Sequence, residues 1–297
     1  MTTFNSMIEE VLINLEGFTL RQDRTTYLTA GIDSDDLNLA LASGDNIGKG
    51  IVEIDDELIH IDSVDRSDRS AVISPFGRAY RGTTAASHSA NAKVTFSPSF
   101  PKISVKRAIN DTIKAVFPKI YGVATTTFSY SPAVTTYALP AAADTVLAVS
   151  WSDIGPSGEW FPIRRWRHDP MANTTDYANG NTISIYEPIV PGRTIQVTYG
   201  KEPTVLSSGS DVFTSVSGLP ESARDVIVYG ASYRMVSFID TGRLNFTSPE
   251  ADQNDQTRQF GSGTNTARYL LALYQQRLQE ESEKQNGKYP VRVHYTI

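Results

Sequence analysis

Four histidines, His60, His88, His168 and His294, carry the side chains whose chemistry lies nearest neutral pH, and their spacing limits what they can do. None has a second histidine four residues away, so no pair shares a helix face as a His-built metal site requires. Carboxylates cluster at Asp33, Asp35 and Asp36 and again at Asp55, Asp56 and Glu57. Neither cluster has the ligand spacing of a calcium loop, and both read as solvated turn carboxylates. Asp153 and Glu159 lie among Trp151, Trp160 and Trp166, the residue types of a sugar-cleaving cleft, but core and strand-face aromatics explain the same pattern. The glycines from Gly44 to Gly50, with Lys49, imitate a phosphate loop, yet a strand start, Ile51-Val52, follows where a hydroxyl residue and a helix belong. There is no Gly-x-Ser-x-Gly turn and no cysteine, which removes a nucleophile elbow, thiolate metal sites and disulfides together. The expectation is no enzyme, no metal and no cofactor.

What remains is the chemistry of binding. Arg164-Arg165-Trp166-Arg167-His168 is the one local basic run in a chain of net charge −6. That balance argues against a protein that grips nucleic acid by its phosphates, but an acidic surface suits one past which DNA slides. The run faces such a channel or pairs with acidic residues of a neighbouring subunit, and the excess of Asp and Glu favours the second. A different binding pattern lies at residues 264–297. Ala267, Leu270, Leu271, Tyr274 and Leu278 fall on one stripe of a helix that Asn286-Gly287 should stop, near Gln285. Tyr289, Val291, Val293, Tyr295 and Ile297 then alternate with Pro290, Arg292, His294 and Thr296, the period of a strand with one apolar face. Such a strand must join a sheet, in its own domain or in another subunit, because its backbone N–H and C=O groups need partners. Its separation from the helix by Asn-Gly and Pro290 favours an arm.

The elements that would position these groups are legible in outline. With 40% hydrophobic and 20% charged residues in 297, the chain has the composition of a folded protein. No run approaches a membrane span, and the start MTTFNSMIEEV lacks the pattern of a signal peptide, which places synthesis in the cytoplasm. Asn5 or Ser6 should cap a first helix with Met7, Ile8, Val11, Leu12 and Leu15 on its apolar face. Short strands follow: Leu37, Leu39 and Leu41 alternate, residues 51–54 and 58–61 flank a hairpin turn at Asp55-Asp56, and 71–73 and 94–96 complete a small β module. Ser104 should cap a second helix with Val105, Ala108, Ile109, Ile113 and Val116 on one face. Strands return at 137–140, 145–149, 161–166, 182–186 and 194–199, at the spacing of an antiparallel sandwich or barrel. A third helix opens at Leu219-Pro220-Glu221, runs to about Thr241-Gly242, and has at Gly230-Ala231 room for another helix; the polar stretch 245–263 reads as an exposed loop.

Two stretches carry a resemblance. Gly77-Arg78-Ala79-Tyr80-Arg81-Gly82-Thr83-Thr84-Ala85-Ala86-Ser87-His88 is similar to a β module found in tail and neck proteins of tailed bacteriophages, with Ala79 at a glycine-like position and Arg81 where an acidic residue is usual. Its small residues suit a tight loop in which Thr83, Thr84 and His88 anchor the backbone. The second half, with Tyr137-Ala138-Leu139-Pro140, Ile163-Arg164-Arg165-Trp166, Leu219-Pro220-Glu221, Tyr229-Gly230-Ala231, Ala267-Arg268-x-Leu270-Leu271 and Arg277-Leu278, resembles the head-to-tail adaptor (neck connector) proteins of siphophages, especially those of actinobacteria.

The resemblance implies a structural virion protein in the neck: a homo-oligomeric ring, dodecameric, that docks beneath the portal protein, meets a downstream head-tail stopper, and continues the DNA channel without binding DNA specifically or touching a membrane. Its portal-binding arm falls on Tyr289, Val291, Arg292, Val293, Tyr295 and Ile297, and its inter-subunit or channel cations on Arg164, Arg165, Arg167, Arg268 and Arg277. The expected fold is α+β: a bundle of long helices with an inserted N-terminal β module and a central antiparallel sandwich or barrel, divided as 1–24 helix, 25–97 β module, 98–287 adaptor core and 288–297 extended arm. The alternative is a tail or baseplate component whose β module grips host glycan or another tail protein.

Overall fold

The computed structural model describes residues 2–16, 23–45, 47–153, 158–237 and 262–290, with side chains of the last stretch from 267 onward. They form two compact units, one of residues 8–109 and 231–268, the other of 1–7, 110–230 and 269–297.

The first unit is built on six antiparallel strands: β1 (Arg24–Tyr27), β2 (Asn38–Ala40), β3 (Gly50–Ile54), β4 (Glu57–Asp65), β5 (Ser70–Ile73) and β6 (Lys93–Phe96). Their order is β1-β6-β3-β4-β5-β2. The outer pair is bridged at Leu28 and Leu41, with Thr29 N–H on Ala40 O at 2.9 Å and Ala42 N–H on Tyr27 O at 2.9 Å, so the sheet curls round and closes on itself. Alternation decides what fills it. Leu39, Val52, Ile54, Ile59, Ile61, Ala71, Ile73, Val94 and Phe96 all point into one buried cluster. Asp55-Asp56 makes the two-residue turn between β3 and β4, with Ile54 opposite Glu57 and Asp55 in the left-handed region at φ 51°.

In the second unit β7 (Gly122–Ser129), β9 (Thr145–Ser152), β10 (Trp160–Pro162) and β13 (Thr194–Lys201) form a sheet ordered β10-β9-β13-β7, and β8 (Thr136–Ala138), β11 (Trp166–Asp169) and β12 (Thr182–Ile185) form one ordered β11-β12-β8. The sheets share a core of Leu139, Val146, Val149, Ile163, Ile183, Ile185, Ile195, Val197 and Tyr199. The run expected as a single strand over 161–166 is two strands in different sheets, because Ile163 turns inward and Arg164-Arg165 makes the crossing. β7 was not expected at all.

Among the described residues the α-helices are α1 (Phe4–Glu16), α2 (Lys102–Ala115), the single-turn α3 (Phe213–Ser217), α4 (Arg224–Ser237) and α5 (Ser262–Lys288). The expected bundle of long helices is not found. Among the described residues thirteen strands carry the two cores, α1, α2 and α4 run over 13, 14 and 14 residues, and only α5, at 27, is long. The apolar stripes are buried, Met7, Ile8, Val11 and Leu15 of α1 and Val105, Ile109 and Ile113 of α2 among them, on helices too short for such a bundle. Thr3 caps α1, in place of Asn5 or Ser6, through a reciprocal pair with Ser6 at 2.9 and 3.3 Å. α5 passes through Gly287 and ends at Lys288, since it is Pro290 that withholds the next N–H.

Gly230 of α4, in the second unit, lies close against α2 and α5. A Cβ there would lie 2.5 Å from Thr112 Cγ2 of α2 and 2.9 Å from Tyr274 Cε2 of α5, distances that real Cβ atoms do not adopt. Gly230→Val is therefore expected to lower the urea unfolding free energy by about 3 kcal/mol through overpacking. An unchanged midpoint would mean that the three helices are not in this contact.

Candidate functional site

The loop between β5 and β6 is tied down by a buried charge. Glu57 opens β4 with the same parity as Ile59 and Ile61, so its side chain turns inward and is 1% exposed. Arg78 meets it with two bonds, Nε to Oε1 at 2.8 Å and Nη2 to Oε2 at 2.9 Å. The N–H groups of Ala79 and Ala86 donate to the same carboxylate at 2.9 and 3.1 Å, and His88 Nε2 lies 3.0 Å from Oε2. The other ring nitrogen of His88 sits 2.8 Å from Asp55 Oδ2. Ionised carboxylates only accept, so a ring nitrogen of His88 that carries a proton donates it to the carboxylate beside it. Arg78 spends its remaining N–H groups on the carbonyls of Asp33, Asp36 and Ala86 at 2.6, 3.0 and 2.6 Å. Arg78 thus joins the first aspartate turn to the loop, and the network is closed on itself.

Each part of the loop has a local reason. Gly77 passes so close to β4 that a Cβ would stand 2.5 Å from His60 O. Ala79 and Arg81 both hold left-handed backbone, at φ 53° and 54°, which explains why a glycine suits the first of these positions. Thr83 accepts the Leu58 N–H at 3.2 Å and donates to Tyr80 O at 3.0 Å, whereas Thr84 is exposed. The sequence reading of Glu57 as a solvated turn carboxylate is corrected: Asp55 and Asp56 are exposed, but Glu57 is the centre of the knot. Its parity with Ile59 and Ile61 was the available signal.

Burial works to raise the Glu57 pKa, but Arg78, His88 and the two N–H donors outweigh it and hold it down to about 2. Glu53, on β3, is the opposite case. It takes the Lys102 N–H at the start of α2 at 2.6 Å, and burial still pushes its carboxyl up to about 7. It lines a cleft of about 690 Å³ with Glu9, Asp23, Asp55, Lys93 and Lys102.

In the second unit, Asp153 pairs with Arg193 at 3.2 Å, and Arg193 lies over Trp151 at 5.8 Å. Trp151 and Trp166 pack on the core, as the alternative reading of these aromatics expects, while Trp160 is 45% exposed. Arg164, Arg165 and Arg167 are exposed, with the N–H groups of the first two on Glu187. Arg268 is exposed as well. Arg277 is held by carboxylates of the same chain, by Glu280, by Glu281 at 3.5 Å and by Asp225 at 3.6 Å. The end of α5 is seated by one side chain: Gln285 Oε1 accepts the Tyr121 N–H at 3.1 Å and its Nε2 donates to Tyr121 O at 2.7 Å. Tyr289 follows, partly exposed, with its N–H on Gln285 O at 2.8 Å. Val291, Arg292, Val293, Tyr295 and Ile297 lie outside the described residues, as does the stretch 245–261.

The sequence profile of the SU10 adaptor protein family matches residues 83–294. The chain belongs to that family. No curated protein matches it. The SU10 adaptor match makes this a structural adaptor protein of a phage, a component of the virion, and it fits a role in binding more than one in catalysis. It begins inside the knotted loop, so His88 lies within the matched span and Glu57 and Arg78 before it. Among the described residues, no helix is long and apolar enough to cross a membrane.

Two of the buried carboxylates, Glu57 and Glu53 of the first unit, give this adaptor opposite pH limbs. Glu57 titrates below its ordinary 4.5 in the folded chain, so its contribution is full above that pH and is lost as pH falls toward 2. Glu53 titrates above 4.5, so its ionisation favours the unfolded chain, and stability falls as pH rises from 4.5 to 7. Urea midpoints measured across pH should show Glu57→Gln less stable by on the order of 3 kcal/mol at neutral pH and with a shallower acid limb, since Glu281 is also held low. Glu53→Gln should keep that limb and lose the decline toward pH 7. A Glu57→Gln profile as steep as wild type in acid would place the source elsewhere.

Proposed function

We propose that this adaptor forms a ring, a dodecamer, between the portal and the downstream head-tail stopper of a siphophage neck of the actinobacteriophage type, and that residues 289–297 bind the portal by strand addition. The observation that carries the reading is the seat of α5. Gln285 fixes the last helical turn to Tyr121, and Pro290 follows two residues after the helix ends, so the alternating stretch Tyr289–Ile297 leaves from a fixed point. Strand addition would draw affinity from backbone hydrogen bonds and specificity from Val291, Val293, Tyr295 and Ile297 in pockets on one side.

The surface chemistry supports a ring around passing DNA. A net charge of −6 gives no general phosphate grip, and the exposed Arg164, Arg165 and Arg167 suit acidic residues of the next subunit or the channel wall, with Arg268 a further exposed cation. Arg277, already held by three carboxylates, suits a helix brace. In this reading 25–97 is an appended β module, 98–287 the adaptor core and 288–297 the arm.

The test is a chain ending at Pro290, mixed with the portal protein and run on a sizing column. It should keep its circular dichroism spectrum and lose co-elution with the portal. Undiminished binding by the shortened chain would refute the arm.

A further inference from the structure

The first unit carries an apolar tip on the strand pair β2–β5 and the turn that leaves it. Phe76 is 100% exposed, Leu37 46% and Val72 41%. Leu37 O accepts the Ile73 N–H at 2.8 Å, Val72 stands opposite Asn38, and the turn Ser74-Pro75-Phe76-Gly77 is closed by the Gly77 N–H on Ser74 O at 2.7 Å. Single exposed apolar residues are ordinary, but three on one strand pair and its turn mark a binding surface. Phe76 also holds left-handed backbone at φ 61°, a conformation ordinarily left to glycine or asparagine, and does so with its side chain wholly in water.

Charge names the occupant. Asp33, Asp35 and Asp36 precede Leu37 in an exposed turn, and Arg78, two residues beyond Phe76, holds the carbonyls of Asp33 and Asp36, so acid and tip are tied together. A surface that fits them must offer apolar contact with cations beside it. This chain carries one. In the second unit the Tyr186 N–H donates to Arg165 O at 2.9 Å, and Arg167 stands opposite Ser184. Ile183 and Ile185 face the core, so strand parity puts Arg165, Arg167 and Tyr186 together on the outer face of the three-stranded sheet. Both arginines are exposed, and Tyr186 is 42% exposed. The carboxylates beside them in sequence are engaged with backbone, Glu187 with the N–H groups of Arg164 and Arg165 and Asp169 with that of Met171.

We propose that the apolar tip of one copy, Leu37, Val72 and Phe76 with its aspartates, seats on the arginine–tyrosine face of the next copy, Arg165, Arg167 and Tyr186. The inference rests on the ring reading and names the surfaces that join neighbours. Two different patches meeting head to tail give every copy one of each, which is the contact a ring needs and a two-fold dimer does not use. Phe76 packs on the Tyr186 ring and along the arginine stems. Asp33 and Asp35 meet the guanidinium groups in a contact shielded from water, where charge-assisted hydrogen bonds fix the register. Arginine suits that place better than lysine, because its planar fork is weakly hydrated and both binds carboxylate and stacks on an aromatic ring.

The chain has no cysteine, so a cross-link can be placed without background. The full chain with Phe76→Cys and Tyr186→Cys together, oxidised and run without reductant, should give a ladder of linked copies, whereas either substitution alone stops at dimers. No ladder, or a link formed only within one chain, would overturn the proposal. Sedimentation of variants without cysteine measures the same contact. Phe76→Ser should weaken self-association about thirtyfold, the loss that follows truncation of an interface anchor. Arg165→Glu with Arg167→Glu should weaken it as well, and adding Asp35→Arg should recover most of that loss. Association of Phe76→Ser as tight as wild type, or no recovery in the combined variant, would also overturn the proposal. A sedimenting ring without a ladder keeps the ring and removes this contact, and a ladder from a chain that sediments as a monomer does the reverse.

Discussion

A backbone N–H or C=O removed from water must find a partner, and a sheet edge is where that demand is hardest to meet. The first unit meets it by closure. Leu28 and Leu41 bridge the outer strands, and Phe96 at the end of β6 pairs with both Arg24 and Val52, so the ring of strands leaves little edge to expose. The second unit, with a four-stranded and a three-stranded sheet around one core, cannot close in this way and keeps β7 at its margin. The difference matters for an adaptor. A closed module is a finished object, whereas a sheet with an open edge has binding capacity built from main-chain atoms that no side-chain substitution removes.

The knot in the first unit shows a second means of fixing a loop. A carboxylate withdrawn from water costs several kcal/mol unless every lone pair is used, and Glu57 uses its lone pairs on Arg78, His88 and two backbone donors. The network offsets the strain of left-handed Ala79 and Arg81 and holds Asp33, Asp36 and Ala86 by their carbonyls. Single removal therefore leaves an unpaired buried charge, which is a larger loss than the net worth of the pair.

What the sequence made legible was what apolar alternation encodes. The strands around Leu39, Ile54, Ile59, Ile73 and Val94, the Asp55-Asp56 turn, and the faces of α1 and α2 all follow from period two or period 3.6. The reading failed where burial carries no apolar signature. β7 has three consecutive threonines and too few apolar residues to show a period, because one of its faces meets water. Glu57 was taken for a turn residue because its charge outweighed its parity. Gly287 looked like a helix stop, but a glycine inside a helix costs only about 1 kcal/mol against alanine, which the bonds of Gln285 to Tyr121 offset. The long-helix bundle was inferred by giving each apolar stripe a long helical partner, when the described helices other than α5 run 14 residues or fewer and the sheets carry the two clustered cores.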